Sequence, residues 1–158
     1  MRKQSGFTLI EMMAALTLLA LLLSVALPFS GLVKRRAQEQ ELRHSLQLIR
    51  HAIDAYYQAS IEGRIDKSLD RSGYPPDLDS LVKGAQDKTN PNGGKLYFLR
   101  RLPADPMCER CEGRAAADTW DTRSYDSSAD SFSSGRDVFD VRSKSLREGI
   151  NGTRYKEW

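Results

Sequence analysis

The 158-residue sequence holds only two histidines, two cysteines and two tryptophans, and these shortages remove several classes of chemistry. His44 and His51 stand seven residues apart, about 10 Å along a helix, too far to share one metal ion without other ligands. They read as solvated side chains, and no nucleophile, base and orienting group form a catalytic set with them. Cys108 and Cys111 lack the second pair that a zinc ribbon needs and the βαβ setting of a thioredoxin-like centre. A basic excess is also missing: Lys+Arg 24 against Asp+Glu 21 leaves a net charge of +3, too little to mark a nucleic-acid groove. Gly94-Lys95 does not make a phosphate loop, because Thr89 stands where the first glycine is required and Leu96 where Ser or Thr is required.

Charge is scarce in one region only. The 27 residues from Phe7 to Val33 contain a single charged side chain, Glu11, whereas the 125 residues from Lys34 to Trp158 contain 22 basic and 20 acidic ones. As a helix, residues 7–33 are about 40 Å long, enough to cross a hydrocarbon layer of ~30 Å. Met12 to Leu27 is rich in Leu, Ala and Met, all strong helix formers, and Pro28 with Gly31 marks an expected kink. Arg2 and Lys3 before this run resemble the start of a secretory signal, with Ser24-Val25-Ala26 as a small-x-small cleavage site. Glu11 opposes that reading, since an acid deep in a membrane helix costs about 2.5 to 3.5 kcal/mol. A capping box formed with Thr8 offsets part of that cost, and a cation offsets more. A free α-amine at a new chain end near Phe7 is such a cation.

Gly6-Phe7-Thr8-Leu9-Ile10-Glu11, after a short basic leader and before a Leu-rich helix, resembles the prepilin peptidase site of the type IV pilin-like family. The resemblance implies a leader of residues 1–6, cleavage between Gly6 and Phe7, N-methylation of Phe7, and a helix 7–33 that passes from the bilayer into a filament core. Glu11 is then expected to meet the Phe7 amine of a neighbouring subunit and set the axial register. Lys34, Arg35 and Arg36 outnumber Arg2 and Lys3, so the orientation with the N-terminus inside rests on the resemblance rather than on flanking charge.

Beyond the basic cluster, Leu42, Leu46, Ile49, Ile53 and Tyr56 alternate four and three residues apart, which predicts an amphipathic helix over 34–61 with one stripe on a core. Fewer than 100 residues follow, so the head domain 62–158 is expected to need that stripe to complete its core. Asp77 to Val82 suits a helical turn started by Pro76, Thr89 to Gly94 is loop chemistry, and Leu96 to Leu102 is an apolar piece. Trp120 to Tyr125 and Asp137 to Val141 read as short strands, with a third extended piece at Tyr155 to Trp158. The expected fold class is α+β, a long helix packed on a small antiparallel sheet. Tyr74-Pro75-Pro76-Asp77-Leu78, Leu102-Pro103-Ala104-Asp105-Pro106 and Asp137-Val138-Phe139-Asp140-Val141 look like the head of a major-type pseudopilin of type II secretion.

In the periplasm implied by that resemblance, Cys108 and Cys111 are read first as a local disulfide, with free thiols or a metal or redox role as alternatives. A pair three residues apart does not close the long C-terminal loop found in many type IV pilins, which favours pseudopilin over pilin. Asp126, Asp130, Asp137 and Asp140 border a serine-rich loop and offer hard oxygen ligands without EF-hand spacing. The resemblance implies a structural calcium ion there, held by Asp130 and Asp137 with Asp126 and the Ser128 carbonyl as helpers. The competing reading is a solvated acidic turn, its acids neutralised by Arg123 and Arg136.

The function so implied is that of a non-enzymatic subunit of the inner membrane with its head in the periplasm. It is expected to polymerise with itself and with minor pseudopilins, after prepilin peptidase cleavage and on an inner-membrane secretion platform, with no nucleic acid bound. A minor type IV pilin, and a signal-anchored periplasmic enzyme or binding module, are the rival readings.

Overall fold

The computed structural model describes residues 8–66, 72–91, 93–128 and 130–158, with residues 25–28 described by backbone alone. Two units divide it, Met1–Ala37 and Gln38–Trp158. One helix, α1 (Leu9–Ile61), contributes to both. It is helical throughout, Pro28 and Gly31 included.

Among the described side chains of the first unit no part of the apolar run is buried: Leu9 is 80% exposed and Leu22 70%. Hydroxyls in this run turn back onto their own helix. Thr17 Oγ1 donates to the Met13 and Ala14 carbonyls at 3.1 and 2.9 Å, and Ser24 Oγ donates to the Leu21 carbonyl at 2.8 Å. A polar group satisfied in this way needs no water, which suits an apolar solvent. The helix is long and apolar enough to cross a membrane.

The second unit is organised around the predicted stripe. Leu42, Leu46, Ile49 and Ile53 are almost completely buried, Tyr56 packs beside them, and His44 and His51 are exposed. Five α1 residues belong to the fourteen-residue core, meeting Leu78, Leu81, Leu99, Leu102, Met107, Trp120, Val138, Val141 and Tyr155. The helix stops at a left-handed Gly63 (φ 72°), whose N–H donates to the Ser60 carbonyl while Arg64 N–H donates to the Ala59 carbonyl. This paired reversal caps the last carbonyls and carries Ile65 into burial.

The sheet is smaller and more divided than expected. Two separate antiparallel pairs form, β1 (Ala85–Gln86) with β2 (Lys95–Leu96) and β3 (Trp120–Arg123) with β4 (Asp140–Ser143). The turn expected from Asp77 begins later, as α2 (Ser80–Lys83), because Asp77 Oδ1 accepts the Ser80 N–H at 2.7 Å outside the helix. The apolar piece from Leu96 bends at once, since Phe98 and Leu99 both donate their N–H groups to the Leu81 carbonyl. The second large strand starts at Asp140 rather than Asp137 because Val138 N–H is taken by the Pro75 carbonyl. A short helix, α3 (Ala116–Thr119), precedes β3.

Tyr155 to Trp158 is not extended; Tyr155–Glu157 is a 3-10 turn. Buried Glu39 of α1 accepts the Tyr155 hydroxyl at 2.9 Å and the Ile150 N–H at 2.7 Å. Arg50 donates to the Trp158 and Val141 carbonyls, both at 3.0 Å, and to Asp140 Oδ1 at 2.8 Å. The Tyr155 N–H donates to the Arg147 carbonyl and the Glu157 N–H to the Arg154 carbonyl, so these residues close on nearby chain rather than add a third strand.

Candidate functional site

Gly6 and Phe7, the expected cleavage and methylation positions, lie outside the described residues. The described part of that motif opens α1. Thr8 Oγ1 accepts the Glu11 N–H at 3.3 Å, which is one half of a capping box. The other half, a return bond from the Glu11 carboxylate, is not made. The carboxylate is exposed, and no described residue gives it a hydrogen bond or an ion pair. It stands in the first turn of α1, where the partial positive charge of a helix N-terminus lies, with its oxygens open to an external donor.

Cys108 and Cys111 are joined by a disulfide. The bond lies in a turn reinforced by Cys108 N–H donating to the Asp105 carbonyl and Arg114 N–H donating to the Cys111 carbonyl.

The acidic residues of the serine loop do not gather together. Asp137, 7% exposed, is an acceptor hub: Oδ1 takes the Ser124 hydroxyl at 2.7 Å and the Tyr125 N–H at 2.9 Å, and Oδ2 takes the Ser72 hydroxyl. Asp126 pairs with Arg136 at 3.5 Å on the surface, and Asp130 is exposed. Asp140 leads β4 and pairs with Arg50 at 2.8 Å and Arg123 at 3.8 Å. The Ser128 carbonyl accepts the Ser131 N–H at 3.1 Å. Among the described residues no three His, Cys, Asp or Glu side chains are placed to hold a metal ion. So arranged, Asp126, Ser128, Asp130 and Asp137 do not fit a calcium ion.

Burial raises the Asp137 carboxyl, but the Ser124 and Ser72 hydroxyls, the Tyr125 N–H and the charge of Arg136 outweigh it and hold the group below the ordinary carboxylate range. A second buried acid, Asp105, lies in the Leu102 to Pro106 segment, whose sequence assigned it no site role. Its Oδ1 accepts the Met107 N–H at 2.8 Å and its Oδ2 the Ser143 hydroxyl at 2.6 Å, while its own N–H donates to Thr119 Oγ1 at 2.9 Å. Burial dominates there, and the carboxyl is raised despite these donors. The signal available was Asp105-Pro106, a dipeptide that favours a turn closed by its own carboxylate.

Residues 1–27 match the family model described as the prokaryotic N-terminal methylation motif, so the match covers Gly6, Phe7 and Glu11 together. Type II secretion system core protein G of Vibrio cholerae is 32% identical over 109 residues, 67% of this chain and 67% of the relative. The core protein G of Klebsiella pneumoniae is 32% identical over 113 residues, covering 67% and 71%. Competence protein ComGC of Halalkalibacterium halodurans is 33% identical over 103 residues, covering 64% and 90%. No solved structure matches. An N-terminal methylation motif opening a helix that is apolar and uncovered at first and core-forming later, joined to identities of this extent, places the chain in the type II secretion system core protein G family of type IV pilin-like proteins.

Proposed function

We propose that this pseudopilin is cut between Gly6 and Phe7 by a prepilin peptidase, methylated at Phe7, and built from the inner membrane into a periplasmic pseudopilus that drives protein export. It is a structural subunit rather than an enzyme. Its partners are copies of itself, minor pseudopilins and the inner-membrane secretion platform, and its head stands in the periplasm. The match to the methylation motif and the family membership support the processing and the setting.

The observation that carries the mechanism is Glu11, the one ionisable side chain between Phe7 and Val33, exposed in the first turn with no described partner. In lipid it is costly; beside the α-amine of a neighbouring Phe7 it becomes half of a charge-assisted pair. Leu and Ala side chains along the helix pack acceptably at many axial offsets, because their contacts are not directional. A charge pair is satisfied at only one. Glu11 therefore acts less by adding stability than by selecting one stagger among many.

The experiment separates processing from assembly. Glu11→Ala is expected to insert and be cut like the wild type, because a polar cost is removed, yet to give few filaments and little secretion in a complementation assay. Co-expression with wild type tests the pairing further, since each variant chain still offers a Phe7 amine to a wild-type neighbour and mixed filaments should form. Undiminished filaments from the variant alone would leave the Thr8 cap as the whole role of this position.

A further inference from the structure

We propose that the loop from Ser124 to Phe139 is closed by its own hydroxyls, amides and arginines, so that the head domain folds and functions without a divalent cation. The inference rests on where each candidate ligand already directs its oxygens. Asp137 receives three protein donors on one carboxylate, two on Oδ1 and one on Oδ2. A cation approaching it would have to turn aside hydroxyl and amide hydrogens that already occupy those lone pairs. The Ser128 carbonyl accepts Ser131 N–H, and Asp126 faces the guanidinium of Arg136. Among the described residues Asp130 is the one loop carboxylate without a partner, and a single exposed carboxylate is a poor ligand set for an ion that takes six to eight oxygens.

The rest of the loop is tied down in the same internal manner. Ser133 offers its carbonyl to the Ser124 N–H at 3.0 Å and to the Ser127 hydroxyl at 2.7 Å. Gly135 runs so close to Ser124 that an added Cβ would stand 2.7 Å from the serine Cβ and Oγ. Phe132, midway along the loop, lies under the Arg142 guanidinium at 3.9 Å and near that of Arg123 at 5.8 Å. Arg123 also covers Phe139 at 4.8 Å. These cations are fixed from behind, Arg142 by Asp121 at 2.8 Å and Arg123 by Asp140 at 3.8 Å. Two guanidiniums on aromatic faces hold the loop to β3 and β4 as a bound ion would, and their charge opposes the entry of another cation.

The test uses the full chain in detergent micelles, with limited proteolysis of the loop followed in millimolar calcium and in excess chelator. Calcium that bound the closed loop would protect it in proportion to one plus the ratio of free ion to Kd, about 100-fold at 100 times Kd. Our expectation is an unchanged cleavage rate and no calcium heat by titration. Asp137→Asn keeps an oxygen for Ser124 and Tyr125 and an amide facing Ser72, so it should cut more slowly than Asp137→Ala. Phe132→Leu, which keeps bulk but removes the aromatic face, should cut faster than wild type in both buffers alike. Strong calcium protection of the wild type, stoichiometric calcium binding, or Asp137→Asn behaving like Asp137→Ala would overturn the proposal. The wild-type comparison decides the matter even if a variant fails to fold.

Discussion

The two parts of α1 share one secondary structure and face opposite solvation problems. Before Ala37 the large apolar residues among those described stand in the open, Ile10 at 76% and Leu21 at 68% exposed. After Gln38 the same residue types are sealed, Leu42 and Ile49 at 0% and Ile53 at 1%. Hydrogen bonding and propensity are indifferent to this contrast, since Leu, Ala and Met favour helix in either setting. Charge makes the difference. In the later part charged residues fill the faces between stripe positions and confine the apolar side to one strip that a small domain can cover. In the earlier part apolar residues go all round, and only lipid or other helices of the same kind can cover them.

The sharpest way to break this comparison is to truncate one side chain from each part of α1, and one from the core that the later part joins. Ile49→Ala should cost the head about 2–5 kcal/mol, and Trp120→Ala about 3–5 kcal/mol, the latter also leaving the Pro103 carbonyl without its indole donor. Leu19→Ala removes as much carbon from a position 57% exposed and should leave head stability within about 0.5 kcal/mol. Urea melts in micelles, followed by Trp fluorescence, measure all three. A large loss with Leu19→Ala would mean that the apolar run is covered by its own chain.

A smaller effect is expected from the disulfide, because the head is held by its core. The chain-entropy argument for so short a loop gives at most about 2 kcal/mol. The Cys108→Ser, Cys111→Ser double variant should fold, support secretion and melt slightly earlier. Collapse of that variant would move the weight of head stability from the core to the crosslink.

Smallest is a tilt of stability with pH that comes from the head alone. Asp137, held low, contributes stability that is present above the unfolded carboxyl value of about 3.9 and lost as pH falls through its lower folded value. Asp105, held high, works in the reverse sense: its contribution is complete below the unfolded value and declines as pH rises through its higher folded value. Melting the head against pH should therefore show Asp137→Asn flattening the acid side and Asp105→Asn flattening the loss above it. Identical profiles for the two variants would contradict the opposite environments assigned to these acids.

Much of this was legible in the sequence, for stated reasons. The α1 stripe could be read because a 3.6-residue period persists over four turns, and the amphipathic helix ends at Ile61. The strands were blurred because their limits are set by distant partners: Val138 is drawn off by Pro75, and Leu96 to Leu102 by the carbonyl of Leu81. Tyr155 to Trp158 has strand-forming residues but is held as a turn by Glu39 and Arg50, more than 100 positions away for several of these bonds. At the candidate sites, Glu11 could be found because it interrupts an apolar run. The acids of the serine loop were visible too, but Ser72, a donor to Asp137 across 65 positions, gave no local sign of its role.

The central claim is that a cut after Gly6 creates a new amine at Phe7, through which the apolar part of α1 assembles in register with its neighbours. Mass analysis of the N-terminus of the chain recovered from host membranes tests it most directly. The account predicts a mature chain whose first residue is N-methylated Phe7, and an uncut precursor when Gly6 is replaced by a bulky residue. A mature chain beginning at Leu27, as cleavage after Ala26 by an ordinary signal peptidase would produce, would contradict it.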